Sequence, residues 1–161
     1  MSAARRADNE EAMITTANRI GFRVNGTPAP KGSARAIKRG AFAVLIASGS
    51  DGNKRALTAW AGAVAWSAKA RHVPLLVGPL AVDVTFYLAR PKSVRRAYPE
   101  VKPDLDKLLR ATLDPLTGIA WRDDGQVVDA VIRKRYAVGG SVEGGEPGAW
   151  IEIYKLTEGI P

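Results

Sequence analysis

Two aspartates one residue apart, Asp104 and Asp106, follow Pro103, and an adjacent acidic pair, Asp123-Asp124, comes after an intervening amphipathic run. Carboxylates that converge repel one another: at an effective dielectric near 20, two unit charges about 4 Å apart cost roughly 4 kcal/mol. A divalent cation removes that penalty, and an all-oxygen donor set suits Mg2+, with Mn2+ as a substitute. The candidate ligands are Asp104, Asp106 and Asp124, with Asp123 as the adjacent acid. Taken singly, each has a plainer explanation, Asp104 as a helix cap and Asp123-Asp124-Gly125 as an ordinary turn. A cap, however, employs one carboxylate and leaves the second without a role. The stretch from Pro103 to Asp129 holds six of the sixteen acids against three bases, on a chain of net charge +8.

The elements that must position these groups can be read from the same stretch. Leu105, Leu108, Leu109, Leu113 and Leu116 form an apolar stripe, which predicts a helix from Leu105 to Leu113 ending at Asp114-Pro115. Pro103 suits the start of that helix. Inside one helix Asp104 and Asp106 would stand about 200° apart, since each residue turns ~100°. Convergence therefore requires Asp104 at the N-cap or in extended chain and Asp106 in the first turn. Arg110 lies one turn beyond Asp106 on the same face. The helix rises roughly 15 Å, and the run from Gly118 to Asp124 reaches roughly 23 Å when extended. A return of Asp124 to the N-terminal end of the helix is thus permitted.

The rest of the chain bounds the setting. Its 161 residues suffice for one domain with a real core, and 46% hydrophobic with 25% charged residues is ordinary for a globular protein. The net charge of +8 points to a polyanionic partner, nucleic acid first. No stretch is long and apolar enough to span a bilayer, so no membrane partner is expected. The run MSAARRADNEEAM lacks the apolar centre of a signal peptide, and the absence of cysteine excludes disulfides and thiolate metal sites; a cytoplasmic location is expected.

Residues 1–18 read as a flexible tail and 19–161 as the domain. Alternation marks strands at Ile20 to Val24 and Leu80 to Leu88, and the runs Val127 to Tyr136 and Trp150 to Leu156 read as two more. Ala34 to Ile46 reads as a hairpin turning at Arg39-Gly40, Ser48 to Asn53 as a loop, and the Gly-rich run Gly139 to Gly148 as the tip of a long hairpin. Lys54 to Arg71 reads as a helix with Leu57, Trp60, Ala61, Val64 and Ala68 on one face, and His72 as its C-terminal group rather than a ligand. The fold class is α+β: a single domain with a mixed β-sheet and two main helices packed on one face. A basic loop from Arg90 to Lys102 leads into the acidic stretch. Lys92, Arg95, Arg96, Lys102 and Lys107 are the candidate phosphate contacts.

The segments Lys102-Pro-Asp104-Leu-Asp106-Lys-Leu-Leu-Arg110-Ala, Asp114-Pro-Leu-Thr-Gly and Trp121-Arg-Asp123-Asp124-Gly-Gln126-Val-Val-Asp129 resemble the RusA family of Holliday junction resolvases. The likeness is specific over residues 102–136 and looser over Phe22 to Gly32, which resembles the family's opening strand and proline-rich turn. It implies a small homodimeric, Mg2+-dependent endonuclease that cuts four-way DNA junctions, of a kind often encoded by phages and prophages. By position Asp104, Asp106 and Asp124 match the metal-binding carboxylates, and Arg110 falls where the family usually carries a catalytic lysine. Lys107 replaces the usual asparagine, and arginine at 110 exchanges a point ammonium for a planar fork. A basic DNA-binding module without catalysis, or a metal-dependent phosphohydrolase acting on other nucleic-acid structures, are the alternatives.

Overall fold

The computed structural model describes residues 19–32, 34–39, 42–47, 51–139 and 144–157; the tail expected over residues 1–18 lies outside them. Strand β1 (Arg19–Asn25) is followed by a hairpin, β2 (Ala34–Arg39) and β3 (Phe42–Ala47), then helix α1 (Asp51–Ala70) and β4 (Leu80–Leu88). Helix α2 (Leu105–Leu113), β5 (Val127–Tyr136) and β6 (Gly148–Lys155) complete the order. Four strands form one mixed sheet in the order β1-β6-β4-β5, whereas β2 and β3 pair only with each other. The chain is a single α+β domain, as its pattern predicts.

Alternation places the core. Val82, Val84 and Phe86 on β4, Phe22 and Val24 on β1, and Ile151 and Ile153 on β6 are all buried. The helices cover them with Trp60, Val64 and Ala68 from α1 and Leu108 and Ala111 from α2. Trp60 fixes the helix pair. Its ring lies 6.4 Å from that of Phe86, and its indole Nε1 donates to Thr112 Oγ1 at 3.1 Å, so a buried polar group finds its partner on the neighbouring helix. Thr112 in turn donates to the Leu108 carbonyl at 2.9 Å.

Two readings need correction. The Gly139 to Gly148 run does not tip a hairpin: β5 pairs parallel with β4, and β6 inserts antiparallel between β4 and β1. Burial accounts for this. β6 is buried along most of its length, while β5 is largely exposed and carries Arg133, Lys134 and Arg135. The apolar strand takes the interior of the sheet and the charged one an edge, where its unpaired side meets water. A parallel β4–β5 pair also requires a crossover, which α2 supplies. Helix α1 begins at Asp51, inside the stretch read as a loop, with the Asp51 carboxylate in the first turn where the helix dipole favours it. At the other end His72 has φ 55° and donates its backbone N–H to the Lys69 carbonyl, in keeping with a C-terminal role.

Candidate active site

Asp104 is the N-cap residue of α2 in backbone conformation (φ −73°, ψ 142°), yet its side chain makes no capping hydrogen bond. Its carboxylate instead lies 3.2 Å from Lys107 Nζ. Asp106 occupies the first turn and Arg110 the last, both exposed. This is the extended-then-helical arrangement that convergence of the two aspartates requires. Among the described residues the side chains of Asp106 and Arg110 have no hydrogen-bond or ion-pair partner.

The approach to the helix is held from the sheet. The Lys102-Pro103 peptide is cis. Lys134 on β5 donates to the carbonyls of Val101, at 2.7 Å, and Pro103, at 3.0 Å. The Lys31 backbone N–H reaches the Lys107 carbonyl at 3.1 Å, and its ammonium pairs with Asp114. A cleft of about 480 Å3 opens beside Asp104, lined by Lys31, Lys102 and Lys107 and by prolines 28, 30 and 103. Lys31 and Lys134 escaped the sequence reading because their roles depend on contacts across 76 and 31 residues of chain, between Lys31 and Lys107 and between Lys134 and Pro103.

The second acidic pair divides its labour. Asp123 Oδ1 accepts from the Gly125 N–H at 2.7 Å, and Gln126 Oε1 accepts from the Asp123 N–H at 3.2 Å, a reciprocal cap on the short 3-10 turn Asp124–Gln126. The Gln126 amide nitrogen donates to the carbonyls of Leu76 and Gly78, each at 3.1 Å, tying the turn to the rim of the fold. Asp123 is thus engaged in the turn. The neighbouring Asp124 side chain is exposed and has no partner among the described residues.

One chain does not bring these groups together. Among the described residues no set of three or more His, Asp or Glu side chains is arranged to hold a metal ion. The sheet register gives the reason. Asp124 stands just before β5, whose Val127 pairs with Leu80, whereas the Asp104 end of α2 is anchored by Lys134, which pairs with Phe86. Seven residues of strand (134 − 127) separate the two anchor points, roughly 23 Å at 3.3 Å per residue. The segment after α2 does not retrace the helix. It buries Leu116, Ala120 and Trp121 in the core, and β5 makes the return.

In the basic loop Lys92, Arg95 and Arg96 are exposed, and Arg96 donates through Nε to the Tyr136 hydroxyl at 3.0 Å. Arg90 braces the loop, donating to the carbonyls of Val94 and Arg96 at 3.2 Å while its guanidinium lies 5.6 Å from the Tyr136 ring centroid. Lys92 and Arg95 have no side-chain partner among the described residues.

A curated relative, the uncharacterized protein YqaN of Bacillus subtilis (strain 168), is 32% identical over 81 aligned residues, covering 42% of this chain and 57% of that protein. The match therefore spans little more than half the length of that relative. The family model described as Endodeoxyribonuclease RusA matches residues 25–154, from the end of β1 into β6, and so takes in α2, both acidic pairs and the basic loop. By that match over most of its length, the chain belongs to the RusA endodeoxyribonuclease family.

Proposed function

We propose that the protein is a structure-selective endonuclease that resolves four-way DNA junctions by hydrolysing phosphodiesters in opposed strands, in the cytoplasm of a bacterial or phage-infected cell. One observation carries the reading. Within a chain of this family, the carboxylates of Asp106 and Asp124 are released from structural duty, and that of Asp104 is held only by Lys107. Such oxygen donors fit a hard divalent cation, and Mg2+ is the best match.

Since one chain leaves the Asp104 and Asp124 anchor points a strand's length apart, the donor set closes between two copies of a homodimer. Asp104 and Asp106 of one copy would meet Asp124 of the other. Held there, Mg2+ would supply an activated water and neutralise phosphate charge. Arg110, one turn from Asp106, stabilises charge developing on the phosphate, with a fork of donors in place of a point ammonium. Lys107 holds the Asp104 carboxylate in position. Lys92, Arg95, Arg96 and Lys102 offset the repulsion between DNA and the acids. Two-fold symmetry presents two such sites to two opposed strands of a junction.

Mixing two inactive variants tests this arrangement. Asp104→Asn and Asp124→Asn homodimers should each fail to cut. In a mixed dimer one site regains a wild-type Asp104 and a wild-type Asp124, so equilibrated mixtures should nick one strand of a labelled junction. If light scattering shows subunit exchange and the mixture stays inactive, the shared site is wrong. Junction binding should also weaken steeply with salt. With about six phosphate contacts, affinity falls by roughly 10³ between 50 and 200 mM salt. A flat dependence would mean that the basic surface does not meet DNA.

A further inference from the structure

The sheet has a second, opposite edge that the reaction does not use. There β1 and the C-terminal turns of α1 enclose a cleft of about 440 Å3, walled by Trp66, Trp150, Arg23, Arg71, Ser67 and Gly21. Resting on the reading that the substrate is branched DNA, we propose that this cleft takes unstacked nucleotides of a single-stranded DNA segment, stacking bases on its two indoles and holding phosphate with Arg71.

The two tryptophans differ in a way that suits such a ligand. Trp150 is fixed: its Nε1 donates to Glu152 Oε1 at 2.9 Å, and its ring lies against Gly21, where an added Cβ would come within 3.1 Å of Trp150 Cζ2. Trp66 is the reverse. It stands two residues from the buried Val64, about 200° around α1, and 71% of its surface meets solvent, the largest exposure among the described large hydrophobic side chains. Core packing gives no reason for an indole at this position, and beside the arginines of the cleft its open face is one on which a base can stack.

Charge selects the partner. Two arginines and no acid line the cleft; Arg23 gives its guanidinium to Asn25 Oδ1 and the Glu146 carbonyl, so Arg71 is the one that can meet a phosphate. Arg71 donates through Nε to the Gly21 carbonyl at 3.3 Å, which fixes its stem and leaves its terminal nitrogens without partners among the described residues. Aromatic faces combined with guanidinium groups recognise single-stranded nucleic acid with little regard to sequence, because every base has a π-face. In a duplex those faces are occupied by neighbouring bases, whereas strands at a branch point expose them. Only three interstrand steps (β1 to β6, β6 to β4, β4 to β5) separate this edge from β5, roughly 14 Å. A strand displaced from the cutting site can therefore reach the cleft.

The test uses the full chain in EDTA, with a labelled oligothymidylate and a perfect duplex as probes. Trp66→Ala should weaken oligothymidylate binding by at least about fivefold, leave duplex binding unchanged, and be largely rescued by Trp66→Phe. Arg71→Ala should weaken binding and flatten its salt dependence. Equal oligothymidylate binding by wild type and Trp66→Ala would overturn the proposal, as would equal losses on both probes or a change of oligomeric state as the sole effect. Because no cutting is read, the result is independent of nuclease activity. A wild type inactive on junctions whose Trp66→Ala variant still loses single-strand binding would refute the nuclease reading and leave the cleft standing.

Discussion

Asp124→Asn should reduce junction cleavage by at least about 10²-fold, the loss expected when several kcal/mol of charge stabilisation is withdrawn from a metal-assisted hydrolysis. The substitution keeps size and most hydrogen-bonding capacity but removes an anionic oxygen, on which hard cations depend. The Asp124 side chain has no partner among the described residues, so folding should be untouched. If this surface faces phosphate as proposed, removing a negative charge from it should leave metal-free junction binding intact or tighter. Asp123→Asn is the matched control. The Asp123 carboxylate accepts from the Gly125 N–H and caps the turn, a duty asparagine also performs. Its cleavage should fall far less. Single-turnover rates with both variants check this, and vigorous cutting by Asp124→Asn, or a loss confined to Asp123→Asn, would move the metal site off Asp124.

Trp60→Ala should destabilise the protein by about 3–5 kcal/mol, the range for truncating a large buried aromatic. Trp60 is 1% exposed, packs on Phe86, and carries the hydrogen bond that joins α1 to α2 through Thr112. Trp60→Phe should cost much less, since the ring contact survives and the Thr112 hydroxyl keeps its bond to the Leu108 carbonyl. Urea unfolding of the three proteins measures the difference. A loss under about 1 kcal/mol for the alanine variant would show that the helix pair is held by something other than this residue. The consequence reaches the site, because α2 is the element that carries Asp104, Asp106 and Arg110.

What the sequence made legible was local. Period-2 alternation marked β4 at the bounds the structure gives, Leu80–Leu88, the β-branched run VVDAVIRKRY marked β5 at Val127–Tyr136, and the leucine stripe with its proline marked α2 at Leu105–Leu113. The requirement that Asp104 be extended and Asp106 helical followed from helical geometry alone, and the backbone meets it. Long-range partnership was not legible. The apolar run of β6 says that the strand is buried, not which strands flank it, so its insertion between β1 and β4 is not legible from the run alone. The chain from Gly118 to Asp124 is long enough to return to the head of α2, yet burying Ala120 and Trp121 and seating Gln126 on two carbonyls takes up that length instead. Helix α1 begins early because Asp51 suits a first turn, although Gly52 and Asn53 look like loop residues.

The proposed reaction is hydrolysis of branched DNA with a divalent cation. Purified protein incubated with an end-labelled four-way junction, a fork and a linear duplex, with and without Mg2+, tests it most directly. Paired, Mg2+-dependent nicks in opposed strands of the junction and little cutting of the linear duplex are expected. Tight junction binding with no cleavage at any Mg2+ or Mn2+ concentration would contradict it.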